Sequence, residues 1–288
     1  MRLSLRHLAL PVIWWLGARG AAAVLAEATS AGGLAQTSPG THIVFDTRSS
    51  WNRVIVADHG DLRSLYFGTT DDATQSTVSL REPRSVPMEY IRHAASALAL
   101  TAHRRSLLVI GLGGGTYPML MRRAFPAMTI DVAELDPMVG KVARDYFGFV
   151  EDEKLRVHFA EGADFVKRAR KRWEVIFLDA YGANDIPEAL ATDAFFAEVS
   201  RHLAPGGVLV ANIADAESSA RERTIIDRLA KRFPACVLQR TPTSDNIIVV
   251  AGVALPKHIG AALATLDREA RLPFAVAPMA AAYRGCSE

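Results

Sequence analysis

Hydrophobic and polar positions change their pattern along the chain, and the first regular pattern begins at residue 41. Short runs rich in Ile, Val, Phe and Tyr are separated there by turn residues, a pattern typical of antiparallel β strands. The runs lie at residues 42–46, 52–57 and 62–68. A helix is predicted next, over residues 87–100, because Met88, Ile91 and Ala95 fall on one helical face.

Fully apolar strand signals then alternate with amphipathic helix signals. The predicted strands are 106–110, 129–135, 156–160, 174–179 and 208–213, and the predicted helices are 118–125, 137–147, 163–170 and 193–203. Strands that are apolar throughout indicate a parallel sheet covered on both faces. Residues 236–240 and 246–253 flank a turn and predict a terminal antiparallel hairpin. The expected fold is α/β, with a Rossmann-like sheet that the hairpin closes and a small β unit before it.

Four segments follow from these patterns. They are a leader with its linker at 1–40, a small β unit with a connecting helix at 41–100, the main sheet at 101–255 and a tail at 256–288. The Ala-rich tail is expected to add one helix and a loose end.

Two polar residues and one glycine pair mark helix ends in the sheet region. Asp136 and Thr192 are the expected N-caps of the helices that follow them. Gly206 and Gly207 are expected to end the segment that leaves the helix at 193–203.

The leader resembles an export signal. Two arginines precede a short apolar run with Trp14 and Trp15, and an Ala/Gly-rich stretch follows. Arg19 interrupts the apolar run, which is shorter than the ~20 residues that a membrane-spanning helix needs. The segment leaves two alternatives open: export or membrane association, and an extension outside the fold.

Composition excludes several classes of protein. The 288 residues include 33 Lys and Arg and 31 Asp and Glu, which leaves no electrostatic footprint for nucleic acid. An apolar fraction of 50% argues against long-range disorder.

Cys236 and Cys286 form no metal motif and can pair only if the tail folds back. The eight histidines have no metal-ligand spacing, so no metal is expected.

The strongest chemical signal is the glycine loop after the first strand of the sheet region. Gly111, Gly113, Gly114 and Gly115 stand where a chain leaves a buried strand and turns into a helix. Residues without Cβ tolerate positive φ and let a ligand approach the backbone. A dinucleotide-binding loop requires a further glycine where this chain has Thr116, which weakens the dehydrogenase alternative.

Acidic residues follow the next strands at the edge where such sheets bind ligands. Glu134 falls 19 residues after Gly115, where a carboxylate can accept both ribose hydroxyls. Glu161, followed by Gly162, comes after the third strand and can accept an adenine amino group, and Asp179 comes after the fourth. The combination predicts an adenosine-type ligand.

These motifs together resemble the spermidine synthase (polyamine aminopropyltransferase) family, and most closely a divergent bacterial branch. The resemblance covers roughly residues 50–253 and implies a sheet of the class I methyltransferase type. It implies a transferase of polyamine biosynthesis whose donor is decarboxylated S-adenosylmethionine. By the same resemblance Gln75 contacts the donor, Glu134 its ribose and Glu161 its adenine, and Asp179 is the general base.

The amine half of the pattern departs from that family. The family has Asp at the position of Gly114, a second Asp at that of Gly182, and a Tyr-Gln pair at Pro87 and Met88. A buried cation without compensating carboxylates costs several kcal/mol. The nucleoside half of the site is therefore better preserved than the amine half.

Other residues are candidates to replace the missing acids. Glu89 and Asp185 are the acidic substitutes expected at the amine, and Tyr181 is expected to bind substrate beside Asp179.

Three functions remain open. The first is aminopropyl transfer to a small-molecule amine, with Asp179 as base. The second is methyl transfer from S-adenosylmethionine, because the missing acid at Gly114 leaves room for the donor carboxylate. The third is a binding protein that kept the fold without catalysis.

Partners and location are expectations of the same kind. We expect no nucleic acid, and leave open a homodimer and membrane association through the leader. The cytoplasm is the favoured location because adenosyl donors are made there, whereas export would favour a function other than catalysis.

Overall fold

The computed structural model describes residues 40–182, 185–214 and 219–287, and these form two β sheets with helices. The expectations for the leader lie outside the described residues.

The first sheet has four antiparallel strands in sequential order: β1 (Thr41–Arg48), β2 (Arg53–His59), β3 (Leu62–Phe67) and β4 (Thr74–Ser79). The first three confirm the predicted β unit. The fourth was not predicted because its inward positions are polar, which removes the alternation of apolar and polar residues. Thr77 instead exchanges a buried hydrogen bond with Ser64 on β3, with 2.9 Å between the hydroxyl oxygens.

Helix α1 (Glu89–Ser96) and a 3₁₀ turn (Ala97–Leu100) lead to the second sheet. Its strands are β5 (Ser106–Ile110), β6 (Thr129–Glu134), β7 (Leu155–Phe159), β8 (Trp173–Leu178), β9 (Leu203–Ile213), β10 (Ala235–Arg240), β11 (Ile247–Gly252) and β12 (Tyr283–Gly285). Their order is β12-β10-β11-β9-β8-β5-β6-β7. Strands β5 to β9 are parallel, whereas β11 pairs antiparallel with β9 and β10. The predicted Rossmann-like sheet with a terminal hairpin is confirmed.

Helices cover both faces of this sheet. They are α2 (Thr116–Ala124), α3 (Pro137–Phe147), α4 (Gly162–Arg168), α5 (Asp193–His202), α6 (Ala220–Arg232) and α7 (Ile259–Glu269). Asp136 Oδ1 caps α3 by accepting from Met138 N at 2.8 Å, and Thr192 caps α5, as predicted. Within the described residues, no helix is both long and apolar enough to cross a bilayer.

The sheet has a hydrophobic core on each face. In β5, Leu107 and Val109 belong to one core while Leu108 and Ile110 belong to the other. Alternate side chains of a strand point to opposite faces, so a strand buried on both faces is apolar at every position. This is why the central strands are evident from sequence.

Two expectations differ from the structure. Gly206 and Gly207 lie inside β9 rather than in a helix exit, because β9 already begins at Leu203. The tail does not end loosely: β12 pairs antiparallel with β10, and Cys286 forms a disulfide with Cys236.

The disulfide makes a prediction about stability. The two cysteines are 50 residues apart, and a crosslink of that span restricts the unfolded chain by about 4 kcal/mol in the chain-entropy model. We expect Cys286→Ser to lower the free energy of unfolding by about 2–4 kcal/mol in urea titrations. Reductant should destabilise the wild type and leave Cys286→Ser unchanged. Equal stability of oxidised and reduced wild type would contradict the prediction.

Candidate active site

A cavity of about 560 Å³ opens at the carboxyl ends of the parallel strands. The chain order reverses between β5 and β8. Strands β6 and β7 follow on one side of β5, whereas β8 and β9 lie on its other side. Ligands of open α/β sheets bind at such a switch point. Residues Gln75 and Ser76 of β4 also line the cavity, so the first sheet closes one of its walls.

Two glycines of the loop are required at this edge by their positive φ angles and by close contacts. Gly111 has φ of +97°, and a Cβ there would lie 2.2 Å from the backbone oxygen of Asp179. Gly113 has φ of +54°, and its Cβ would lie 2.7 Å from the Ser76 hydroxyl. Both glycines line the cavity, so the loop brings bare backbone to any bound ligand.

The other two glycines face away from the cavity lining. A Cβ on Gly114 would lie 2.9 Å from the ring of Phe147 and 3.0 Å from Ser76 Cβ, and one on Gly115 would lie 2.5 Å from the ring of Phe149. Gly114 N donates to Ser76 Oγ at 2.8 Å. The side of Gly114 where an Asp side chain would stand is therefore filled by protein.

Glu134 is buried at the end of β6 with both oxygens engaged. Its Oε2 accepts from Leu112 N and its Oε1 from Asp136 N, each at 2.8 Å. Burial raises the pKa of Glu134 to about 7, although these amide hydrogen bonds oppose the shift. Asp136 Oδ2 is buried without a hydrogen-bond partner among the described residues and belongs to a cavity-lining side chain. This corner can accept two hydroxyl hydrogens from a ribose.

Glu161 and Gly162 form the next part of the lining. Glu161 caps α4, since its Oε2 accepts from Asp164 N at 2.8 Å, and the residue also lines the cavity. Gly162 is required because a Cβ would lie 2.5 Å from the Ile110 side chain. Gln75 lines the cavity too, and its amide nitrogen donates to Ala73 O at 3.2 Å.

Asp179 follows β8 directly and faces the cavity from a position deep in the protein. Its Oδ1 accepts from Asn212 Nδ2 at 2.9 Å and its Oδ2 from the Tyr90 hydroxyl at 3.1 Å. Asn246 Nδ2 donates to Asn212 Oδ1 at 2.9 Å, which orients the Asn212 amide. Burial raises the pKa of Asp179 to about 6, against the effect of its two hydrogen bonds. The site holds a positioned carboxylate with a strengthened affinity for a proton.

The three expected substrate-binding residues have different surroundings. Tyr181 lines the cavity; its hydroxyl donates to Asn212 O at 2.9 Å and accepts from Ala214 N at 2.7 Å. Glu89 points to the hairpin loop and accepts from Thr243 N and Oγ1. Asp185 is 68% exposed and lies 3.7 Å from Arg221. Neither acid is part of the cavity lining, so the structure does not bring them to Asp179.

Sequence reasoning missed several lining residues. Asn212 lies next to the end of a predicted strand, and the strand-end argument used for the acids applies to it equally. Tyr90 gave no such signal, because its contact with Asp179 spans 89 residues of sequence. Tyr117 and Asp245 also line the cavity without having been singled out. In the part of the chain that is described, no cluster of three or more His, Cys, Asp or Glu residues could hold a metal ion.

Comparison with known proteins adds to this geometry. The family model for the spermine/spermidine synthase domain matches residues 87–243. The polyamine aminopropyltransferase of Vibrio vulnificus is 31% identical over 175 residues, which are 59% of this chain and 58% of the relative. The chain thus spans less than two thirds of that relative.

Two solved structures are also similar. Human methyltransferase-like protein 13, in complex with SAH, is 26% identical with a TM-score of 0.56; the match covers 64% of this chain and 94% of that one. A probable spermidine synthase from Corynebacterium glutamicum is 18% identical with a TM-score of 0.66 and supports the fold alone; it covers 85% of this chain and 92% of that one.

The raised pKa of Glu134 predicts that nucleoside binding at this corner of the cavity depends on pH. The folded-state pKa is about 7, so Glu134 becomes a carboxylate as the pH rises through neutrality. A carboxylate accepts hydroxyl hydrogen bonds more strongly than a carboxylic acid does. We expect the affinity for methylthioadenosine, measured by calorimetry, to increase from pH 6 to pH 8.

Matched variants separate this effect from general charge. Glu134→Gln should bind about tenfold more weakly at pH 8 and lose the pH dependence, because charge-assisted hydrogen bonds contribute ~1.5–3 kcal/mol. Glu153→Gln, on the exposed surface, should bind as the wild type does. An unchanged pH dependence in Glu134→Gln would remove Glu134 from the nucleoside site.

Proposed function

The chain belongs to the spermine/spermidine synthase family, and we propose that it transfers an aminopropyl group from an adenosyl sulfonium donor to an amine. One observation carries this proposal: the half-buried Asp179 faces a cavity that Glu134 and Glu161 also line from the ends of other strands. A base and a nucleoside-binding edge thus share one enclosed space.

The donor lies with its nucleoside along the first strands of the switch point. Glu134 and Asp136 accept the ribose hydroxyls, and Glu161 accepts the adenine amino group. Gly111 and Gly113 give the donor close access to the backbone, and Gln75 covers it from β4. This arrangement directs the sulfonium toward Asp179.

Asp179 holds and deprotonates the acceptor. An alkylammonium has a pKa near ~10 in water, and burial in the cavity lowers that value while it raises the pKa of the carboxylate. The ammonium gives one proton to Asp179, and the freed nitrogen lone pair forms a bond to the donor carbon. The carbon–sulfur bond breaks with its electron pair going to sulfur, which leaves methylthioadenosine and an alkylated ammonium product.

Tyr90 and Asn212 position the base. Each donates to a different oxygen of Asp179, so the carboxylate plane is fixed with respect to the cavity. Positioning of this kind matters because a misplaced base loses the advantage of proximity.

Replacing the base should abolish transfer without loss of donor binding. Asp179→Asn keeps the size of the side chain but cannot accept the proton, and general base catalysis contributes ~10²–10⁴-fold. We expect methylthioadenosine release to slow by about that factor, while the dissociation constant for methylthioadenosine stays within threefold, about the spread of a neutral change.

The pH profile supplies a second readout. In the wild type, kcat/KM should rise with pH through about 6, where Asp179 loses its proton in the free protein, and Asp179→Asn should lose that limb. Asp227→Asn, exposed on α6, serves as the matched control. Wild-type turnover by Asp179→Asn would exclude the residue as base.

Methyl transfer from S-adenosylmethionine is the second candidate function. It is favoured by the similarity to human methyltransferase-like protein 13 in complex with SAH, and by Gly114 and Gly182, where acids for a cationic amine are missing. The packing of Phe147 and Ser76 against Gly114 argues against it, because protein atoms already occupy the side of Gly114 where the missing acid would stand. The donors of the two candidate reactions have the same nucleoside and differ in the chain attached to sulfur.

A comparison of two donors distinguishes the candidates. With decarboxylated S-adenosylmethionine and putrescine, we expect methylthioadenosine release and, by calorimetry, tighter binding of this donor than of S-adenosylmethionine. Tighter binding of S-adenosylmethionine with release of S-adenosylhomocysteine would establish methyl transfer instead. No affinity for either donor would indicate a binding protein without catalysis.

The proposed partner is a small-molecule amine, and the proposed location is the cytoplasm, where adenosyl donors are made. The disulfide between Cys236 and Cys286 argues for the other alternative, export, because stable disulfides are typical of oxidising compartments. Fractionation of cells that express the full chain, with the donor assay on each fraction, tests the proposed location.

A further inference from the structure

Three tyrosines line the cavity around Asp179, and their hydroxyl groups differ in one respect. Tyr90 donates to Asp179, and Tyr181 bonds to the backbone of Asn212 and Ala214. The hydroxyl of Tyr117 is buried and has no hydrogen-bond partner among the described residues. Of these three tyrosines, it is the one whose hydroxyl the described residues leave without a partner.

Packing does not explain the hydroxyl of Tyr117. Its ring is 3% exposed and packs against Phe177, with 4.2 Å between the ring centroids. A phenylalanine would make the same ring contact without burying an unpaired oxygen. Buried tyrosine hydroxyls usually have a partner because an unmade hydrogen bond lowers stability. The partner is therefore to be sought in the space that the residue lines.

The position of Tyr117 indicates which part of a ligand it meets. The residue is the second of α2, directly behind the glycine loop, and it lines the cavity together with Asp179. Burial, and then the nearby Asp179 carboxylate, raise the pKa of Tyr117, so the group stays a neutral phenol. A neutral phenol can both accept and donate a hydrogen bond.

A reacting amine needs a second acceptor at this point. An ammonium carries three N–H groups, and Asp179 takes only the one whose proton is removed. The nitrogen that remains has a lone pair for attack and further N–H groups that lose water when they enter the cavity. Each of these requires an acceptor, since buried donors without partners are disfavoured.

We propose that Tyr117 contacts the substrate: its hydroxyl oxygen accepts a hydrogen bond from the acceptor amine and turns the nitrogen lone pair toward the donor carbon. The role rests on the proposed transfer reaction.

Tyr117→Phe removes only the oxygen and is the direct test. We expect kcat/KM for putrescine, followed by methylthioadenosine release, to fall about tenfold, the size expected for one hydrogen bond. The dissociation constant for methylthioadenosine should change less than twofold, and Tm should stay equal or rise, because an unpaired buried oxygen is lost. If the hydroxyl had a purely structural role, Tyr117→Phe would lower Tm.

Tyr181→Phe is the matched control. It loses hydrogen bonds to Asn212 O and Ala214 N, so its Tm should fall. Unchanged kcat/KM in Tyr117→Phe, or a fall in Tm with equal loss of methylthioadenosine affinity, would overturn the proposal.

Failure of the proposed function has a different outcome. If the wild type transfers to no amine, putrescine and n-butylamine are titrated calorimetrically into protein saturated with methylthioadenosine. Weaker binding to Tyr117→Phe than to the wild type would still support the contact. Equal binding, or no binding to either protein, would overturn it.

Discussion

The contact between the glycine loop and the end of β8 is the constraint on which the site depends. Gly111 N donates to Ala133 O at 2.8 Å, and Asp179 N donates to Ile110 O at 2.9 Å, so the ends of β5, β6 and β8 are joined by backbone. A Cβ at Gly111 would lie 2.2 Å from Asp179 O. Any other residue at this position would push β8 away, and Asp179 would no longer line one cavity with Glu134.

Burial of charge gives these strand ends their chemistry. The chain is nearly neutral, with 33 basic and 31 acidic residues, yet Glu134 and Asp179 lie in one cavity with raised pKa values of about 7 and 6. Carboxylates held this way are less stable as anions than in water, and a ligand that offers hydroxyl or ammonium hydrogens relieves that loss. Binding of a cationic or hydroxylated ligand at this site is therefore favoured.

How much the sequence predicts depends on the range of the interaction. Strands such as β5 are buried on both faces, so their composition alone reveals them, and acids at strand ends follow from topology. Strand β4 is polar at its buried positions and carries no apolar alternation. Helix α6 was not predicted although Ile225, Ile226 and Leu229 lie on one helical face. Glu89 is adjacent to the expected amine motif in sequence, but the hairpin loop binds its carboxylate through Thr243. Such long-range partners are set by tertiary packing, which no local pattern records.

The tail shows how distant parts of the chain hold the side chains around Asp179 in place. The disulfide fixes β12 beside β10, and Tyr283 on β12 hydrogen-bonds to Ser96 and Gln239. Gln239 also pairs with the ring and the carbonyl of His93, each at 2.9 Å. Ser96 and His93 belong to α1, the helix that carries Tyr90. Moving α1 would leave several buried polar atoms without partners, at about 1–3 kcal/mol each. The network therefore holds Tyr90, and through it the Asp179 carboxylate, in one position.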